Sequence, residues 1–202
     1  MAKMETLRDD FGSGTINTTK WASLGTMPTI QSGRAAFEPD SASKSQIESI
    51  DFFDPIDSYI SAEVIVPALA VVPQQVAAVM EMSLRVASSE FAVDGVIAKV
   101  YNTDTGGEKI QVDTNNYGGV FVISPYSRIT HRWWRFRLTS TQFYFDTSPN
   151  GISWAQQGVL AHTLGSTPLL AKFSYYNQLP NVAYVDNVNV QPNAGNFLQF
   201  FI

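Results

Sequence analysis

Residues 131–154 read HRWWRFRLTSTQFYFDTSPNGISW, and their pattern decides the fold. On an extended chain Trp134, Phe136 and Leu138 fall on one face, with Trp133, Arg135 and Arg137 on the other. Phe143 and Phe145 then share a face, with Tyr144 and Asp146 opposite. Pairing the two segments predicts an aromatic layer inside and cross-strand pairs of opposite charge outside. Ser148-Pro149-Asn150-Gly151 supplies a turn, with proline presetting φ and Asn-Gly accepting left-handed backbone. Trp154 returns at a strand position from which it is expected to cap the core.

Outward from this hairpin the same signals recur. Short runs rich in Val, Ile, Phe, Tyr and Thr alternate with Gly, Pro, Asn, Asp and Ser clusters. Strands are predicted near 28–38, 44–51, 57–66, 75–88, 93–102, 107–113, 118–124, 131–140, 142–147, 152–158, 168–176 and 182–191. Residues 74–88 also suit a helix, but Val76, Ala78, Met80, Met82, Leu84 and Val86 keep a period of two, which favours a strand. Thr105-Gly106-Gly107 and Asn115-Asn116-Tyr117-Gly118-Gly119 read as hairpin turns. The expectation is an all-β antiparallel sandwich, with residues 1–192 forming one domain. Residues 193–202 form an apolar tail in which Phe197, Leu198, Phe200, Phe201 and Ile202 are expected to dock on the same domain or on another chain.

Composition narrows function. The chain has 202 residues, 45% hydrophobic and 15% charged, with a net charge of −5 and no cysteine. An acidic chain is a poor phosphate-backbone binder, and the arginines of 131–137 alternate as on an ordinary solvated strand face, so no nucleic-acid partner is expected. Disulfides, thiolate metal sites and cysteine nucleophiles are absent. The start, MAKMETLRDDFGSG, carries no signal-peptide h-region, and the most apolar stretch, Val64 to Val79, is broken by Pro67 and Pro73. Neither export nor membrane insertion is expected.

Three stretches together resemble the concanavalin A-like lectin/glucanase (LamG-like) jelly roll: DDFGSGTINTTKW near the start, the 131–154 block with its extension AQQG, and AYVDNVNV near the end. In this resemblance the first is the opening strand, and the last is the final strand pairing beside it. The central block is also similar to blocks in virion proteins of tailed bacteriophages and in secreted bacterial carbohydrate-binding proteins. The resemblance implies a non-enzymatic virion protein (minor tail, decoration or receptor-contacting), made in the host cytoplasm, that meets other virion proteins or copies of itself. Its alternative is a lectin-like module for host surface glycan; a glycoside hydrolase is the remote alternative.

The candidate contact residues are Trp133, Arg135, Tyr144, Asp146, Asn150 and Trp154, where exposed rings would suit sugar or protein. The bland reading, that the block is chiefly a fold element, accounts for the same residues. Glycanases of this fold carry Glu-x-Asp-x-x-Glu on one strand; the nearest stretch, Glu48 to Asp54 with Asp51 between, has a different spacing and meets Pro55 at once. His131 and His162 are far apart, and Ser166 lacks a nucleophile-elbow context. No catalytic residue is expected. No cofactor is expected either, apart from a structural calcium that the resemblance implies, with Asp9, Asp10 and Asp186 as candidate ligands. Calcium wants six or more oxygens, which favours the other reading, that Asp10 and Asp186 bond turn amides.

Overall fold

The computed structural model describes residues 1–39, 44–68, 78–86, 95–103, 107–114, 118–177 and 181–192. Among them are fourteen strands: β1 (Trp21–Ser23), β2 (Thr29–Gln31), β3 (Arg34–Phe37), β4 (Ser45–Ser49), β5 (Ser58–Ile65), β6 (Ala78–Arg85) and β7 (Gly95–Thr103) in the first half. The second half holds β8 (Gly107–Asp113), β9 (Val120–Ile123), β10 (Trp133–Leu138), β11 (Gln142–Ser148), β12 (Ala155–Ala161), β13 (Leu170–Asn177) and β14 (Ala183–Asp186). They form two seven-stranded sheets, ordered β1-β4-β13-β6-β7-β8-β9 and β12-β11-β10-β5-β14-β3-β2. Every strand pairing is antiparallel.

The core lies between the sheets and follows the predicted alternation. Trp134, Phe136, Phe143 and Phe145 are buried from the second sheet; Ile47, Met80, Met82, Leu84, Ala98, Val100 and Phe173 are buried from the first. The Trp134 and Phe145 rings meet edge-on with centroids 6.0 Å apart, and Phe136 lies 5.3 Å from Phe145. Such rings stabilise the fold by about 1.5–3 kcal/mol each through burial alone. Gly158 of β12 has no side chain because the Phe121 ring of β9, in the other sheet, occupies that space: an added Cβ would stand 2.6 Å from it. That ring closes one side of the sandwich.

Several boundaries differ from the sequence expectation, each for a local reason. The 28–38 run is two strands, β2 and β3, because Ser32 and Gly33 both take positive φ (51° and 74°) and reverse the chain. The last strand ends at Asp186, since Asn187 and Asn189 are left-handed too (53° and 50°). The stretch predicted at 152–158 pairs as 155–161, after a longer turn. Of 75–88, the described strand is β6; residues 69–77 and 87–94 lie outside the described residues.

The opening stretch is also corrected: residues 9–20 form turns, and only an isolated bridge, Asp9 with Val188, joins them to the chain's end. Strand order puts β14 between β3 and β5. The ends are nevertheless stitched together. Asn189 Oδ1 accepts the Ser61 amide (2.7 Å), while its Nδ2 donates to the carbonyls of Met4 (2.8 Å) and Leu7 (2.9 Å). Among the described residues no helix is long and apolar enough to cross a membrane. The tail residues Phe197, Leu198, Phe200, Phe201 and Ile202 lie outside the described residues.

Candidate functional site

The second sheet turns away from the core the residues that the sequence singled out. Arg135 sits opposite Asp146, and Arg137 opposite Tyr144. Asp146, only 1% exposed, accepts from Arg135 Nε (2.8 Å), Arg137 Nε (2.6 Å) and Arg137 Nη2 (3.0 Å). Hydrogen bonding to Asp146 drives the Arg137 pKa further up. The guanidinium of Arg135 lies 4.3 Å from the Trp154 ring centre, and that of Arg137 lies 4.8 Å from the Tyr144 ring centre. The result is a self-satisfied ladder of rings and charges.

Two expectations are overturned here. Trp133 is 4% exposed, so it offers no face to a sugar; the turn at Gly151 lies directly on its ring. Trp154 does not cap the core, because it stands half-buried on the outer face under Arg135. Asn150 shapes the turn itself: its Oδ1 accepts the amides of Ile152 (3.0 Å) and Ser153 (2.9 Å). Arg135, Asp146 and Trp154 thus act on one another, Asn150 acts on its own loop, Tyr144 is held by Arg137, and Trp133 packs beneath the turn.

The first sheet holds a second arrangement, which the sequence reading missed. Ala171, Phe173 and Tyr175 point into the core, so Lys172 and Ser174 face outward from β13. Register then lines up two polar rows. One runs Gln46, Ser174, Glu81, Lys99, Gln111; the other runs Glu48, Lys172, Ser83, Ile97, Asp113. Gln46, Glu48, Ser83, Arg85 and Ser174 are buried although they face away from the core. The Arg85 guanidinium grips the Glu48 carboxylate, and Ser174 Oγ donates to Glu81 Oε2 (2.7 Å). Lys99 Nζ lies 3.3 Å from Asp113 Oδ2, which also accepts from Gln111 Nε2 (2.9 Å). Two buried acceptors, Gln46 Oε1 and Asp113 Oδ1, have no hydrogen-bond donor among the described residues. Burial, with Arg85 next to it, pushes the Lys172 pKa down.

The candidate metal ligands are each engaged elsewhere. Asp9 Oδ2 accepts Trp21 Nε1 (2.9 Å) and its Oδ1 accepts the Phe11 amide (2.9 Å). Asp10 Oδ1 takes the Gly12 amide (3.0 Å), and Asp186 Oδ1 takes the Asn187 amide (2.7 Å), as the turn-amide alternative had it. Among the described residues no group of three or more His, Asp or Glu side chains could hold a metal ion. Of the acids weighed for catalysis, Glu48 lies in β4, whereas Asp54 lies beyond it and binds Lys3 (2.8 Å). His131 Nδ1 accepts the Ser127 amide (3.1 Å) and His162 Nδ1 that of Leu164 (3.2 Å). Burial pushes both imidazole pKa values down.

Asp186 faces Glu63 directly across β14 and β5. Glu63 is held by Arg132 and by Asn187 Nδ2 (3.3 Å), whereas Asp186 has Arg34 Nε only at 3.5 Å. Burial, with Glu63 adding to it, raises the Asp186 pKa from 3.8 to about 6. A carboxyl whose folded pKa is raised favours the fold below pH 4 and loses that advantage as pH rises through 6. Ionised Asp186 therefore costs on the order of 2–3 kcal/mol at pH 8. Asp186→Asn is expected to raise stability by about 1–2 kcal/mol at pH 8, since the Arg34 contact is lost, and to give no gain at pH 4. Urea unfolding at the two pH values checks this.

No family model matches the sequence, and no curated protein does. Solved structures match well. The potassium-bound carbohydrate recognition domain of Emp46p superposes with a TM-score of 0.67 at 9% identity, covering 95% of this chain and 100% of that one. A legume lectin-like domain from Entamoeba histolytica gives 0.60 at 8% identity, covering 85% and 88%. The Bacillus licheniformis β-glucanase gives 0.57 at 9% identity, covering 90% and 94%. Together with the two seven-stranded antiparallel sheets, these likenesses establish that the chain has the concanavalin A-like jelly-roll fold of lectin and glucanase domains.

Proposed function

We propose that this protein is a non-catalytic carbohydrate-binding module whose glycan lies on the outer face of the first sheet. The observation that carries the reading is the pair of polar rows there. They present amides, hydroxyls, carboxylates and ammonium groups on strands about 4.8 Å apart, a spacing comparable with the width of a pyranose ring. A sugar hydroxyl both donates and accepts, so it suits such a mixed array. Glu81, Lys99 and Gln111 of these rows are only part-buried, so their polar groups lie within reach of a ligand on this face. Tyr101 and Tyr176, half-buried on the same face, can add ring contacts. The carbohydrate recognition domain among the matching structures supports the reading.

That this face does not catalyse is inferred from how its acids are held. Glu48 is gripped by Arg85 and Glu81 takes the Ser174 hydroxyl, so both serve neighbouring side chains. A glycosidase instead needs one free carboxyl as acid and a second as base or nucleophile. The setting suggested by the resemblance of residues 131–154 to tailed-phage proteins is the particle surface, with residues 196–202 docking on a neighbouring protein.

A glycan array tests the reading. Binding is expected, with at least a tenfold loss in the double variant Lys99→Ala/Gln111→Ala and none in Trp154→Ala. No reducing ends should be released from the bound glycan. A blank array would sink the proposal; loss confined to Trp154→Ala would move the site to the second sheet.

A further inference from the structure

We infer that the glycan recognised by the first sheet is acidic, and that Lys172 receives its anionic substituent. This rests on the reading of that face as the glycan site. Lys172 stands on β13, with Glu48 opposite it on β4 and Ser83 opposite it on β6. Of the two acids nearest to it along the face, Glu48 is held by the Arg85 guanidinium, while Glu81 accepts the Ser174 hydroxyl and keeps its charge; both attract Lys172 without bonding to it. The Lys172 ammonium makes no hydrogen bond or ion pair with any described residue, although the residue is half-buried.

The charges around it sharpen the point. Among the described residues Lys44, Arg85, Lys99, Lys109 and Lys172 share this face with Glu48, Glu81 and Asp113, which leaves five cations against three carboxylates. Arg85 is paired with Glu48 and Lys99 with Asp113, which leaves Glu81 alone to balance Lys172, Lys44 and Lys109. The chain as a whole carries −5, so this local excess of positive charge runs against its average. A half-buried cation gives up hydration, and an ion pair is the usual compensation. A carboxylate, sulfate or phosphate on a sugar would supply it, while the part-buried Glu81 and Gln111 take neighbouring hydroxyls.

Two features of the pairing can be measured. Burial and the Arg85 charge push the Lys172 pKa down, so the ammonium deprotonates earlier than an exposed lysine would. Affinity for an acidic glycan should therefore fall as pH rises through that lowered pKa, and a guanidinium at the position should remove the fall. Lys172 has no hydrogen-bond partner among the described residues, so replacing it should change the melting temperature little.

The experiment is an array of matched pairs: acidic oligosaccharides (uronate-containing, sulfated and phosphorylated) beside their carboxyl-reduced, desulfated or dephosphorylated counterparts. Hits are followed by calorimetry for wild type, Lys172→Gln and Lys172→Arg. We expect acidic members to bind at least tenfold tighter than their neutral partners. Lys172→Gln should abolish that difference, and Lys172→Arg should keep it with no decline at alkaline pH. If neutral and acidic members bind equally, or if Lys172→Gln leaves the difference intact, the inference is overturned while the glycan site stands. If every pair is blank, the glycan reading itself fails, and this inference with it. Inorganic sulfate and phosphate serve as competitors: displacement at millimolar concentration would show a free-anion site instead and overturn the acidic-glycan assignment.

Discussion

Asp146→Ala is expected to lower the free energy of unfolding by about 2–3 kcal/mol. The carboxylate is almost wholly buried and serves two arginines at once through three hydrogen bonds. Removing it leaves two adjacent guanidinium groups that repel each other and have lost their acceptors. Breaking a fully buried pair costs about 3–5 kcal/mol; the side chains of Arg135 and Arg137 keep 22% and 38% of their exposure, so water recovers part of that. A chain of this size should then melt about 4–10 °C lower. Asp146→Asn, which keeps the shape and loses the charge, should fall between. Equilibrium denaturation near pH 7 measures both, and a loss below about 0.5 kcal/mol for Asp146→Ala would mean that the ladder is energetically idle, as many exposed ion pairs are.

Gly151→Ala should cost a similar amount, about 2–4 kcal/mol, for two reasons that add. Its φ of 71° is a conformation that side chains rarely adopt, a strain of about 1–2 kcal/mol. The new methyl would also stand 2.8 Å from Trp133 Cδ2, so the turn or the indole must move. Gly33 and Gly165 supply the control: they share the positive φ, but an added Cβ meets nothing within 4 Å. Alanine at either should show the strain alone. The difference measures how tightly the turn sits on Trp133, and tryptophan emission should shift to the red only in Gly151→Ala.

The parts of the structure written in period two were legible. Trp134, Phe136, Phe143 and Phe145 announced an inner face because each strand is covered on one side by the other sheet. The Arg135–Asp146 pair followed from hairpin register, which a short connection between consecutive strands determines. What stayed hidden depends on strand order. Glu48, Lys172 and Glu81 share a face only because β13 inserts between β4 and β6, and nothing local in 44–51, 75–88 or 168–176 encodes that insertion. Outward polar residues in those runs were visible, but without the order they could not be assembled into rows. Trp133 was misread for a similar reason. Alternation places it outside, and only the fold of the Ser148–Gly151 turn covers it. Ser32 shows the limit of turn chemistry: a serine at positive φ gives little signal, so β2 and β3 looked continuous.

The bonds that Asn189 makes to Met4 and Leu7 span 185 and 182 residues. On a ribosome adding about 5–20 residues per second, the first residues wait about ten to forty seconds before their partner has been made. During that interval Met4, Leu7 and Phe11, all buried at the end, have no completed core to enter. The latch thus closes late: the segment from Met4 to Phe11 stays unsealed until residue 189 has been made. Chains truncated before residue 189 should be marked by an unprotected, apolar N-terminus, the kind of segment that chaperones and proteases recognise.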